Sequence, residues 1–104
     1  ANYWVKWEQR KGRILIEGAD EDFLVYALEW TPDRIEDYVD GAHYFTYMNE
    51  GTGWNAWPYD HPFHLILNIA VGGVWGRAGG PIDDTIFPQR MLVDYVRVYE
   101  RREP

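Results

Sequence analysis

The segment FHLILNIAVGG, residues 63 to 73, constrains the chain more than any other. In extended backbone, successive side chains point to opposite faces. Phe63, Leu65, Leu67, Ile69 and Val71 then form one unbroken apolar row, which has to be covered. His64, Ile66, Asn68 and Ala70 form the other row, with a single amide, Asn68, in the middle. An Asn in that setting has two readings. It is satisfied inside a core, as buried polar groups usually are, or it faces a polar ligand. The strand runs into Gly72-Gly73-Val74-Trp75-Gly76, a glycine-rich turn able to lay a flat indole beside a ligand.

Turn signals divide the rest of the chain. YWVKWE (3 to 8) alternates as a strand, Gln9 to Gly12 is a polar turn, and Arg13 to Glu17 reads as the returning strand of a hairpin. Gly18 to Asp22 is an acidic loop, read as a solvated turn. FLVYALEWT (23 to 31) is apolar on both faces and reads as a buried sandwich strand. Thr31-Pro32-Asp33 makes a tight connection, and Arg34 to Val39 and AHYFTYM (42 to 48) form a hairpin about Asp40-Gly41. A helix after Pro32, with Thr31 as its cap, is the local alternative. Residues 49 to 62 and 76 to 89 are long loops rich in glycine, and RMLVDYVRVYE (90 to 100) reads as a closing strand. About seven short strands and no strong helix predict an all-β protein, a jelly roll or β-sandwich of antiparallel strands.

The length, 104 residues, fits a single domain spanning 1 to 104. A net charge of −7 disfavours a nucleic-acid backbone or an anionic membrane as partner. The 6 Trp and 8 Tyr suit both a sandwich core and stacking on sugars. There is no Cys, so neither a disulfide nor a thiolate metal site can form. His43, His61 and His64 lack a tight ligand spacing and are assigned structural roles. Adjacent Asp83 and Asp84 are assigned to a turn or cap. Trp4 and Trp7 are candidates to line a sugar cleft, Trp30 is expected between sheets, and core and ligand roles are open for Trp54 and Trp57. No signal peptide is visible, and the chain begins at Ala1 in a strand-like segment, which reads as a processed or shortened product.

WPYDHPFHLILNIAVGGVWG and DDTIFPQRMLVDYVRVYE, together with DFLVYALEWTPDRIEDYVDG, closely resemble the C-terminal half of glycoside hydrolase family 16, in particular its laminarinase-type endo-β-1,3-glucanases. The resemblance runs from about Asp22 to Glu100, with residues 1 to 21 fitting more loosely. It implies a jelly roll of two curved sheets with β-glucan in the concave cleft, and a secreted, extracellular protein. The family's retaining mechanism uses two carboxyl groups roughly 5 to 5.5 Å apart, carried on an E-x-D-x-x-E strand. None of the glutamates here has that spacing, so no catalytic residue is assigned and the chain alone is expected to be inactive. Asn68 matches the cleft asparagine of the family's ILNxAVGG strand, and Trp75 the indole of GGxWG; the resemblance implies that both bind substrate. Val74 stands where the family commonly has Asn, and Asp37 where an aromatic is frequent. Asp94 matches a position that often serves a structural calcium, and no other cofactor is implied.

Part of a sandwich leaves apolar faces uncovered. A homo-oligomer or a strand-exchanged dimer is therefore expected, with a compact mini-sandwich that folds on its own as the competing possibility. A non-catalytic, glucan-binding or self-assembling module is the alternative to an enzyme.

Overall fold

The computed structural model describes residues 10–76 and 79–102, and for Trp75 the backbone only. The strand expected at residues 3 to 8, with Trp4 and Trp7, lies outside them. The chain divides into two compact units, Ala1–His64 and Leu65–Pro104. The architecture is all-β, as expected: an antiparallel three-stranded sheet with almost no helix, consistent with part of a sandwich.

The sheet lies in the first unit. Strands β1 (Tyr26–Trp30), β2 (Arg34–Val39) and β3 (Ala42–Met48) pair in sequence order. The β1–β2 connection is fixed by Thr31, whose hydroxyl accepts from the amides of Asp33 and Arg34 at 3.2 and 3.1 Å. The β2–β3 connection is the expected two-residue loop. Asp40 has φ 47° and Gly41 φ 81°, and two left-handed residues are what a tight hairpin turn requires. Asp40 also reaches β1: its amide donates to the Val25 carbonyl, and its carboxylate accepts from the Val25 amide, both at 2.8 Å. The helix considered after Pro32 does not form. Alternating apolar residues in β2 and the turn at 40–41 give the ladder the advantage.

The register gives the sheet two unlike faces. On one, Glu29, Glu36 and Thr46 stand opposite one another, and Tyr38 opposes His43. There Glu36 accepts from the Tyr38 hydroxyl at 2.8 Å and the Arg34 Nε at 2.9 Å. The Tyr38 hydroxyl foremost, and Arg34 after it, lower the Glu36 carboxyl below its ordinary range. A register shift between Asp37 and Tyr38 marks an irregularity in the ladder. The other face carries Tyr26, Leu28, Trp30, Ile35, Val39, Phe45 and Tyr47, with Asp37 in its middle between Leu28 and Phe45.

Part of that apolar face is covered. Val39 is buried, and a Cβ on Gly12 would stand 2.6 Å from Phe45 Cβ, so the backbone at Gly12 lies directly on that ring. Arg10 sits over the Tyr47 ring, 5.5 Å from its centroid, and pairs with Glu50. Residues 13–17 form no ladder among the described residues, and the partner expected for them, residues 3 to 8, lies outside those. The rest of the face is open. All five residues of β1 are exposed, Leu28 at 60%, so the expectation of a strand buried on both sides is not met.

Burial raises the Asp37 carboxyl above the ordinary range, against an opposing pull from His43. A carboxyl with a raised folded-state pKa contributes stability that is complete below about pH 3.9 and is lost as pH rises through the folded-state value. Replacing Asp37 by Leu is therefore expected to raise the urea midpoint at pH 7 more than at pH 3.5. Equal shifts at both pH values would refute this account of the site.

In the second unit, the segments expected to be the organising and closing strands form no ladder among the described residues. Residues 65–71 and 91–100 are exposed throughout, with Ile66 at 74%. A strand is completed by its neighbour's backbone, and these segments have none within the described ladders. Helix α1 (Gly73–Gly76) is a single turn closed by the Gly76 amide on the Gly72 carbonyl at 3.2 Å. Asp83 caps a 3₁₀ turn, Asp84–Ile86, accepting from the Thr85 amide at 2.9 Å. These contacts from Thr85 lower its carboxyl pKa, and the capping role is the one expected.

Candidate functional site

The three residues singled out from the sequence all fall in the second unit. Asn68 is exposed, so its amide is not enclosed in a core. Trp75 is in α1, separated by Val74 from Gly72 and Gly73, which have φ 67° and 76°. A Cβ at Gly72 would meet Ile82 Cδ1 at 2.7 Å, so both the backbone conformation and the contact favour glycine there. The glycines thus set the path into the turn that carries Trp75. Asp94 is exposed in the final segment. Among the described residues no three His, Cys, Asp or Glu side chains converge on a common point.

The first unit holds an aromatic assembly that spacing alone did not resolve. Trp57 is 3% exposed and stacks on Tyr47, with centroids 5.7 Å apart and planes at 11°. Tyr59 meets both rings edge-on, at 5.2 and 6.2 Å. Phe63 links Tyr59 to Trp30. Trp30 is thus packed against Phe63 at the sheet end yet remains 45% exposed. The Trp57 Nε1 donates to Asp60 at 3.1 Å, which satisfies the one polar atom the ring takes out of water. Burial is the first cause that raises the Tyr47 hydroxyl pKa.

Trp54 has the opposite fate, 72% exposed beside a depression of about 200 Å³ that it lines with Trp57, Asn49 and Asp60. Core and ligand roles, open for both tryptophans in the sequence, are divided between them here. Loop composition does not separate the two, although only Trp57 belongs to the WPYDHPF motif. His43 belongs to the polar face of the sheet, with Nε2 2.6 Å from the Thr46 hydroxyl.

Comparison with known proteins extends the reading. The family model for glycosyl hydrolases family 16 matches residues 1–97. A beta-glucanase of Rhodothermus marinus is 50% identical over 96 residues, which is 88% of this chain and 33% of that protein. Glucan endo-1,3-beta-glucosidase A1 of Niallia circulans is 40% identical over 90 residues, covering 78% of this chain and 13% of its own length. A beta-1,3-glucan-binding protein of Penaeus monodon is 38% identical over 74 residues, covering 54% and 20%. The chain thus spans a third or less of the length of these relatives. No solved structure matches it. The motifs of residues 22 to 100, the antiparallel all-β sheet and the family match together place this chain in glycosyl hydrolases family 16.

Proposed function

We propose that these residues form part of a retaining β-1,3-glucan hydrolase, in which this chain supplies glucan-binding surface and the catalytic carboxylates come from outside it. The observation that carries the reading is the family match over residues 1–97. The binding residues are Asn68, whose amide can donate to and accept from sugar hydroxyls, and Trp75, whose indole stacks on a pyranose ring. A polysaccharide substrate is met outside the cell, so the protein is assigned an extracellular location. No helix among the described residues is long and apolar enough to cross a membrane. Where a calcium is held, Asp94 contributes one carboxylate, and the remaining oxygens come from beyond the described residues.

A purely binding role is the second reading. It is favoured by the absence of an E-x-D-x-x-E pattern from the 104 residues and by the likeness to a glucan-binding protein. In either reading, the open face of the sheet and the exposed apolar segments are covered by a second copy of the chain, in a two-fold dimer.

The test is affinity electrophoresis in laminarin gels alongside reducing-sugar release from laminarin. The chain is expected to be retarded without releasing sugar, and Trp75→Ala to weaken retention by about tenfold, the effect of losing one stacking ring. Release that also requires an added chain bearing the family's carboxylate strand favours the hydrolase. Retention with no release under any addition favours the binding module. Release by the chain alone would overturn the assignment of the carboxylates to another chain, and no retention at all would overturn the glucan.

A further inference from the structure

We infer that Trp54 and Asp60, in the loop that follows β3, form a second carbohydrate subsite that takes one neutral pyranose unit of a glucan. The inference rests on the glucan reading above but on different residues, in the other unit of the chain. A large apolar ring costs free energy when left in water, and Trp57 shows that this loop can bury an indole. Trp54, three positions earlier, is left 72% exposed.

Its support is built to hold it there. Asn49 anchors the start of the loop, its amide donating to the Asp33 carbonyl at 2.8 Å and its side chain to the Pro32 carbonyl at 3.1 Å. The Asn49 side-chain oxygen accepts from the Gly51 amide at 3.0 Å. Gly51 and Gly53 have φ 73° and 106°, with open space where a Cβ would stand, so glycine is needed there for the backbone path rather than for room. The Trp57 amide then donates to the Gly53 carbonyl at 3.0 Å, closing a turn with Trp54 inside it and buried Trp57 as its fixed end. An indole carried on so pinned a turn loses little freedom when a ligand stacks on it.

The chemistry beside the ring selects the ligand. Asp60 gives one carboxylate oxygen to the Trp57 Nε1, and the other has no hydrogen-bond partner among the described residues. A carboxylate only accepts, which suits sugar hydroxyls and repels sulfated or uronic sugars, as does the net charge of −7. The depression, about 200 Å³, is below the range of about 300–1,000 Å³ typical of drug-sized ligand sites. That leaves room for one ring rather than an oligosaccharide. Asn49, with both its amide groups engaged, shapes the floor and does not bind.

The experiment is laminarin affinity electrophoresis of the full chain, its Trp54→Ala, Trp54→Phe and Trp75→Ala variants, and the Trp54→Ala/Trp75→Ala double variant. Melting curves check that the exposed Trp54 can be removed without loss of fold. Trp54→Ala is expected to bind about three- to tenfold more weakly, with Trp54→Phe recovering most of the loss and the double variant weaker than either single one. Unchanged retention of Trp54→Ala, with loss in Trp75→Ala, would overturn this subsite and leave the glucan reading standing. No retention of the unaltered chain would overturn both.

Discussion

Replacing Trp57 by Ala is expected to abolish cooperative unfolding of the first unit. Trp57 is one of the two buried hydrophobic residues among the described residues, the other being Val39. Its ring is stacked on Tyr47, met edge-on by Tyr59, and hydrogen-bonded to Asp60. Truncating a buried aromatic to Ala costs about 3–5 kcal/mol, whereas a whole domain is typically stable by only about 5–15 kcal/mol. A unit with so little buried hydrophobic surface stands at the low end of that range. Trp57→Phe keeps a ring against Tyr47 and gives up the bond to Asp60, an expected loss of about 1 kcal/mol. Urea titration followed by tyrosine and tryptophan fluorescence separates the two. A sigmoidal transition in Trp57→Ala within 1 kcal/mol or so of the parent would refute the assignment of Trp57 as the keystone of the loop.

The second large effect concerns mass. Sedimentation velocity at micromolar concentration is expected to give the chain as a dimer. The physical reason is the exposed apolar area: Leu28 at 60% on β1, and Leu65 and Ile66 at 66% and 74% in the second unit. Beside β1, an apolar groove of about 470 Å³ runs between Ile14, Leu15, Tyr26 and Val39. Monomeric soluble proteins rarely leave contiguous apolar patches larger than a few hundred Å². β1 also presents an outer edge with no neighbour among the described strands. Leu28→Lys puts a charge on that face and is expected to shift the population to monomer while leaving the hairpin intact. A monomer in the unaltered chain across the concentration range would sink the proposal.

The parts of the fold legible in the sequence are those whose cause is local. Asp40-Gly41 sits between two alternating runs, and the turn chemistry fixes the pairs nearest it, Val39 with Ala42 and Tyr38 with His43, up to the register shift at Asp37. The Thr31-Pro32-Asp33 corner and the Asp83 cap were legible for the same reason. Residues 63 to 73 show the opposite. Their alternation states which side chains share a face, but a ladder depends on a partner that the alternation does not name. Asp37 was visible as a departure from the family pattern, and only the register puts it on the apolar face opposite Leu28 and Phe45. At the candidate sites, spacing identified Asn68 and Trp75 through resemblance. It could not divide Trp54 from Trp57, because that division is made by the stack on Tyr47 and the hydrogen bond to Asp60.

The Asp40 clamp has a consequence for how the sheet assembles. One residue supplies the left-handed corner of the β2–β3 hairpin and both hydrogen bonds that hold Val25 at the entry to β1. The hairpin therefore carries its own docking point for the third strand. One of those bonds is made by the Asp40 carboxylate and the other by its backbone amide, so the left-handed turn that closes the hairpin also aims both groups at Val25.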